Sequence, residues 1–258
     1  MRICYGIPLM TALVSVAMLS GAGGRDHAVS ALADGQAGTA VERRFEVLYH
    51  VWRHWVDDLD HGGLEFSSAS QDWLYDNEPY RQLIALGPPS LPCLVAHLRE
   101  DSTLEDAIGR IAGVTLHVHR TALAPGHSLW TIDELPGYQQ ADRAPDPADV
   151  WLRWWNVERF HTPERFEKLD AERQALLQQG DAKGAQEKYE RIQNLGIAVL
   201  PCLRDKIGQG ATDLVPIMSA LTNGAVKPDA SPADCAKWWN AHKQEWTLPA
   251  ATATDKAK

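Results

Sequence analysis

Two stretches of this chain repeat one another: YRQLIALG (80–87) followed by LPCL (91–94), and YERIQNLG (189–196) followed by LPCL (200–203). The Tyr, the Leu-Gly pair and the whole Leu-Pro-Cys-Leu run match at a single offset of 109 positions. Chance supplies one such match readily, but hardly seven in fixed register. The chain therefore contains a tandem duplication, which is the sequence signature of a repeat architecture.

The duplication extends to a tryptophan-rich segment further along each copy. DPAD (146–149) precedes WWN (154–156), and SPAD (231–234) precedes WWN (238–240). An Asp or Ser followed by Pro is typical of a helix N-cap and first helical position, so each segment is predicted to begin a helix. Trp151, Trp154 and Trp155 then lie on one helix face, and Cys235 takes the place of Trp151 in the second copy.

Apolar periodicity predicts helices over most of the remaining sequence. We expect them at 41–59, 163–179 and 181–195, and from each Leu-Pro-Cys-Leu run to about Arg99 or Ile207. Gly87 and Gly196 are predicted to end the preceding helices in the left-handed conformation. The first copy also carries an insertion at 114–146, which has β character at 114–119 and several Pro-Gly turn signals.

The pattern Leu-Gly-x-x-x-Leu-Pro-x-Leu-x-x-x-Leu resembles HEAT-type helical repeats. With its Trp-x-x-Trp-Trp helix at 151–155, the chain looks like the bacterial exported kind of HEAT-repeat protein. The resemblance covers about residues 80–115, 147–156, 189–224 and 232–246. It implies an all-α, armadillo-type fold: an α-α superhelix of two tandem units, with a small irregular or β-like insertion in the first. It implies little about function, because such units serve scaffolds, adaptors and enzyme accessory domains alike.

The N-terminus has the pattern of a secretory signal peptide. Met1-Arg2 is followed by an apolar stretch to Leu19 and then by small residues. We expect cleavage after Ala22, with Ala33 as a second candidate site, and no membrane span after cleavage. The protein is then periplasmic or secreted.

These observations predict a division of the chain into five segments. They are a signal peptide (1–22), a flexible leader (23–40), a first helical unit (41–160) containing the insertion (114–146), a second helical unit (161–247) and a disordered tail (248–258).

The net charge of the chain and the absence of several catalytic motifs reduce the number of function classes that fit the sequence. The net charge is −9, and removal of the signal peptide, whose one charged side chain is Arg2, lowers it to −10. An acidic surface repels phosphates, so nucleic acid is not an expected partner. The sequence has no Gly-rich phosphate loop, no Gly-x-Ser-x-Gly elbow and no Cys-x-x-Cys. It therefore favours a non-enzymatic interaction or scaffold protein that binds a protein or cell-envelope component and needs no cofactor.

The first alternative is a metal-dependent enzyme or binder that uses the insertion. His117 and His119 alternate, so an extended segment places both on one face, and His127 follows nearby with Asp133 and Glu134. Imidazole and carboxylate groups are common ligands of zinc. A site built on these histidines is the metal hypothesis.

The second alternative is a carbohydrate-binding module that uses exposed tryptophan. The chain has ten Trp among its twenty aromatic residues, and six of them lie in or beside the repeated helix. Their repetition favours packing. Adjacent helical residues point about 100° apart, so one Trp of each pair is free to face solvent, and Trp155 and Trp239 are the candidates.

Three cysteines follow the signal peptide: Cys93, Cys202 and Cys235. An oxidising compartment allows one disulfide among them, and the sequence leaves the pairing open. Cys93 and Cys202 follow Pro near a helix start, where a thiol can be activated. Their apolar, repeated setting instead predicts buried and inert thiols.

Overall fold

A computed structural model of the protein describes residues 39–61 and 75–249. The predicted signal peptide, nearly all of the leader and most of the tail lie outside these residues. The described residues are mostly helical, as predicted, but they also contain a small antiparallel sheet that an all-α description omits. The helices are α1 (Ala40–His61), α2 (Glu78–Ala85), α3 (Leu91–His97), α4 (Glu105–Ala112), α5 (Pro147–Asn156), α6 (Thr162–Gln178), α7 (Ala182–Gln193), α8 (Leu200–Gly208), α9 (Val215–Leu221) and α10 (Pro232–Trp246), and the strands are β1 (Val118–Ala124), β2 (His127–Ile132) and β3 (Gln139–Ala141).

The helices carrying the repeated Trp pairs begin at the predicted caps. The Asp146 side chain accepts a hydrogen bond from the Ala148 backbone N–H (2.9 Å) at the start of α5. Ser231 and Asp234 form a reciprocal capping box at the start of α10. In both helices a proline occupies the first turn, where its missing N–H costs nothing.

The two copies carry equivalent elements in the same order. In each, a helix ends at a glycine, a 3-10 turn follows, and the next helix begins at the Leu-Pro-Cys-Leu run. Gly87 and Gly196 have the positive φ values predicted for the helix ends, +67° and +69°, although Gly87, with a ψ of −162°, lies outside the left-handed helical region. A short helix and then the Trp helix complete each copy.

The glycines at the junction of the two copies are tightly enclosed. A Cβ added to Gly196 would collide with the Ala112 carbonyl oxygen and lie 2.5 Å from Val114 Cγ2. A Cβ on Gly113 would lie 2.8 Å from Leu221 Cδ2. The end of α4 therefore packs directly against the second copy.

The insertion is a three-stranded antiparallel sheet in the order β1-β2-β3. A turn at Pro125-Gly126 joins β1 and β2, and Gly126 adopts a φ of +83° there. The strand begins at Val118, four residues later than the β character of the sequence suggests. The preceding residues pair with a side chain instead: Asn194 Oδ1 accepts from the Thr115 N–H (2.7 Å), and its Nδ2 donates to the Thr115 carbonyl (2.9 Å).

Within residues 39–61 and 75–249, every helix is too short or too polar to cross a bilayer.

Candidate functional site

A cleft of about 570 Å³ opens between the base of the β1–β2 hairpin and the second helical unit. The insertion contributes one wall, and helices α6 and α7 contribute the other. Most of the lining side chains are polar or ionisable, and we call this feature the charged cleft. The ionisable and amide side chains of its lining are His117, His119, Asp133, Glu134, Arg165, Glu187, Glu190, Arg191, Gln193 and Asn194.

Glu134 is the best-buried carboxylate of the charged cleft and connects its two walls. Its side chain is only 9% exposed, so its carboxylate oxygens require hydrogen-bond donors. Oε2 accepts from the His117 backbone N–H (2.7 Å), while Oε1 lies 2.7 Å from both His117 Nδ1 and Asn194 Nδ2. Glu134 thus ties the hairpin to α7 and holds the His117 ring in place.

His117 and His119 both line the charged cleft, each beside a carboxylate. His119 Nε2 lies 3.2 Å from Asp133 Oδ2, and both of these side chains are about half exposed. In His117 the Glu134 carboxylate contacts Nδ1, which leaves Nε2 as the ring nitrogen that can contact a ligand. The predicted placement of the two histidines on one face is confirmed.

Two arginines from α6 and α7 complete the charged cleft. Arg165 Nη1 donates to the Glu134 backbone carbonyl at 2.8 Å. Burial lowers the pKa of Arg165, the charges of Glu158 and Glu134 oppose this shift, and repulsion from Arg191 adds to it. Within the described residues, neither guanidinium has a carboxylate oxygen within 4.0 Å. The charged cleft thus contains two guanidinium groups without an ion-pair partner in that part of the chain.

The predicted three-histidine site does not form. His127 begins β2 at the far end of the hairpin, where its Nδ1 lies 3.2 Å from Asp142 Oδ2. His119 pairs with Thr131, four strand positions from His127, a separation of about 13 Å along the strand. The prediction that His127 joins the other two is wrong, because antiparallel pairing carries it to the opposite end. Over the described ranges, no group of three His, Cys, Asp or Glu side chains is placed to hold a metal ion.

The expectation that Trp155 and Trp239 face solvent is also wrong. Their exposed fractions are 8% and 4%, so neither presents a ring face to a sugar. The Arg159 guanidinium covers Trp155, 3.9 Å from the ring centroid. In α10 the buried pair is Cys235 and Trp239, four residues apart, whereas Trp238 is half-buried and stacks on His242. The packing interpretation of the repeated Trp residues is confirmed for these positions.

The three cysteines of the described chain are free thiols. Burial, reinforced by the charges of Glu42 and Glu46, raises the pKa of the Cys93 thiol to about 11. Burial also raises the pKa of Cys202 and of Cys235. A raised pKa keeps each thiol protonated and weakly nucleophilic, which supports the inert role.

A second cavity, of about 720 Å³, lies on the other face of the hairpin. Side chains alternate along a strand, so His119 projects toward the charged cleft while Val118 and Trp130 project toward this second space. Apolar and aromatic side chains dominate its lining, and we call it the apolar cavity.

Comparisons with protein-family models, curated proteins and solved structures found no match to this chain.

Sequence reasoning missed the half of the charged cleft that comes from the second unit. Arg165, Arg191 and Asn194 lie in the helices predicted at 163–179 and 181–195, for which the sequence indicated no function. One signal was present: Asn194 stands where the first copy has Ala85 at the same repeat position. Where one copy has a polar residue and the other copy an apolar one at the same repeat position, the polar residue indicates a contact that only its own copy makes.

Proposed function

We propose that this protein is an exported interaction protein that binds an acidic segment of a protein or cell-envelope partner in the charged cleft. Its scaffold is a HEAT-like, armadillo-type superhelix of two units. The shared order of elements in both copies and the positive-φ glycine at each helix junction support the scaffold. The signal-peptide pattern of residues 1–22 supports export to the periplasm or medium.

The observation that carries the binding role is the pair of guanidinium groups, Arg165 and Arg191, on one wall of the cleft. A guanidinium forms paired, charge-assisted hydrogen bonds to a carboxylate. The cleft's best-buried carboxylate, Glu134, is already satisfied by His117 and Asn194. An acidic group of a partner would give the two guanidinium groups the direct ion pair that they lack within the described residues, where the carboxylates of Glu134 and Glu158 act on Arg165 only from beyond 4.0 Å.

Site-specific photocrosslinking in the envelope fraction tests this role. A photoreactive phenylalanine derivative replaces His119, which is half exposed at the edge of the charged cleft. The control position is Leu177, which is 46% exposed and does not line the cleft. We expect a discrete adduct from position 119 and not from position 177.

A matched pair of substitutions on α7 completes the test. Arg191→Met should abolish the adduct, because it removes a positive charge from the cleft. Lys183→Met, at a 91% exposed position of the same helix, should leave it unchanged. Adducts that are equal at positions 119 and 177, or that survive Arg191→Met, would argue against the proposed site.

A further inference from the structure

The apolar cavity has the size and lining of a small-molecule site. Its volume of about 720 Å³ falls in the range of ligand pockets, which are mostly apolar with a few polar groups that fix orientation. The hairpin, helices α4 and α5 and the segment before α5 line it, and it is open to solvent on one side. It shares only Gly113 and Thr115 with the charged cleft, so it is a separate space.

Aromatic rings form much of the wall of the apolar cavity. Trp130 lies in β2 and Trp151 in α5, while Tyr75 is the first residue of the second described range. Gly109 allows Trp151 to approach α4 closely, since a Cβ there would lie 3.4 Å from the indole ring. Arg120 sits 5.6 Å from the Trp130 ring centroid. Trp151 is only 6% exposed, so Trp130 and Tyr75, both half-buried, are the more available ring surfaces.

Two adjacent carboxylates line the cavity, but only one of them has partners of opposite charge. Asp106 accepts a hydrogen bond from the Tyr80 hydroxyl (2.5 Å) and pairs with Arg110 Nε (2.6 Å). Its neighbour Glu105 has no Lys or Arg nitrogen within 4.0 Å among the residues that the structure describes.

The environment of Glu105 favours a cation beside it. Burial raises the pKa of Glu105, and the charge of Asp106 adds to the rise, while a hydrogen bond with the Trp151 indole opposes it. An ionised carboxylate in such a half-buried position is stabilised by a nearby positive charge. A cation at this point also meets the negatively polarised faces of aromatic rings.

We propose that the apolar cavity binds a small organic cation, with its ammonium group against Glu105 and its apolar body between the hairpin and Trp151. Asp106 does not compete for the ammonium, because Arg110 and Tyr80 already satisfy it. The apolar body contacts Val118 and Val150. This site is independent of the charged cleft and of the partner proposed for it.

Calorimetric titration with phenethylammonium at pH 8 tests the site in the purified protein. Phenethyl alcohol is the neutral control of similar shape, and 3-phenylpropanoate is the anionic one. We expect saturable binding of the ammonium, at least tenfold weaker binding of the alcohol and none of the anion. Indole N–H resonances of Trp130 and Trp151 should shift during the titration, while that of the buried Trp239, outside the cavity, stays in place.

Three variants separate the carboxylate from the cavity shape. Glu105→Gln should weaken phenethylammonium binding at least tenfold, whereas Glu245→Gln, at an exposed position of α10 outside the cavity, should not change it. Val118→Lys should abolish binding by placing the protein's own ammonium group in the cavity. Val118 is 47% exposed, so the fold accommodates the change. Thermal unfolding monitored by circular dichroism checks that each variant is folded.

The proposal is overturned if phenethyl alcohol binds as tightly as phenethylammonium, or if folded Glu105→Gln keeps the wild-type affinity. Failure of the ammonium to bind at millimolar concentration overturns it as well. None of these results bears on the proposal for the charged cleft, because its crosslinking test uses different residues.

Discussion

Alanine at Gly196 is expected to destabilise the protein far more than alanine at Gly87, its counterpart in the first copy. Both glycines have a positive φ, of +69° and +67°. They differ in their surroundings. A Cβ at Gly196 collides with the Ala112 carbonyl oxygen and presses on Val114, whereas at Gly87 the nearest atom is Pro89 Cδ at 3.9 Å.

The two contributions can be estimated separately. A positive φ costs an L-residue with a Cβ roughly 1–3 kcal/mol, and both variants carry this cost, Gly87 with a ψ of −162°. Inserting a methyl group into a tightly packed contact adds about 1–3 kcal/mol, and this applies only at Gly196. The gain from a stiffer unfolded chain, about 0.4–1 kcal/mol, is common to both and cancels in the comparison. The difference between the variants is therefore the contribution of the contact between the two copies.

Urea unfolding monitored by circular dichroism measures both free energies of unfolding. We expect Gly196→Ala to lie about 2 kcal/mol below Gly87→Ala, and its Tm to be roughly 4–8 °C lower for a domain of this size. Equal destabilisation of the two variants would show that the close approach of Gly196 to α4 is not maintained in solution. That result would remove the basis for treating the two copies as one packed unit.

Three further predictions follow from individual contacts. Asn194→Ala removes the hydrogen bonds to the Thr115 backbone and to the Glu134 carboxylate. It should therefore lower the free energy of unfolding by about 1–3 kcal/mol and speed amide hydrogen exchange at Thr115. The thiol pKa of Cys93 is raised to about 11, so its reaction rate with a disulfide reagent should rise about tenfold per pH unit from pH 7 to 10 without levelling off. The rate is measured in a variant whose other cysteines are replaced by serine. Arg173 is 4% exposed and pairs with the buried Asp170 at 2.9 Å, so Arg173→Met should lower the free energy of unfolding by about 3 kcal/mol in urea titrations.

The helical part of the fold was predictable because its signals are local. Caps at Asp146 and Ser231, prolines in the first turn and glycines at the helix ends act within a few residues of one another, so spacing alone reveals them. The helix predicted at 163–179 is found at Thr162–Gln178, and the one predicted at 41–59 at Ala40–His61. The sheet was less predictable, because its third strand has only three residues and little apolar pattern.

The charged cleft was only half predictable for a related reason. His117, His119 and Glu134 lie in the insertion, where the metal hypothesis already grouped them. Arg165 and Arg191 reach the same space from helices more than thirty positions away, and no periodic pattern encodes that approach. His127 was misplaced because the strand pairing after the Pro125-Gly126 turn sets it opposite Ala124, whereas His119 pairs with Thr131. The turn is visible in the sequence, but this register is not.

The packing of the duplicated unit explains why function is expected outside the repeated residues. Most shared positions, such as the leucines of the two Leu-Pro-Cys-Leu runs and Trp154, Trp155 and Trp239, are buried within or between the copies, and a buried side chain is not available to a partner. The insertion has no counterpart in the second copy, so its side chains are not buried against an equivalent hairpin. A strand shows different residues on its two faces, and one hairpin placed against a helical body can therefore wall two spaces of different chemistry. In this protein one face carries His119 toward the charged cleft, and the other carries Val118 and Trp130 toward the apolar cavity. A variant that deletes the hairpin while keeping the helices should thus lose both proposed binding activities together, whereas Glu105→Gln and Arg191→Met should each remove only one.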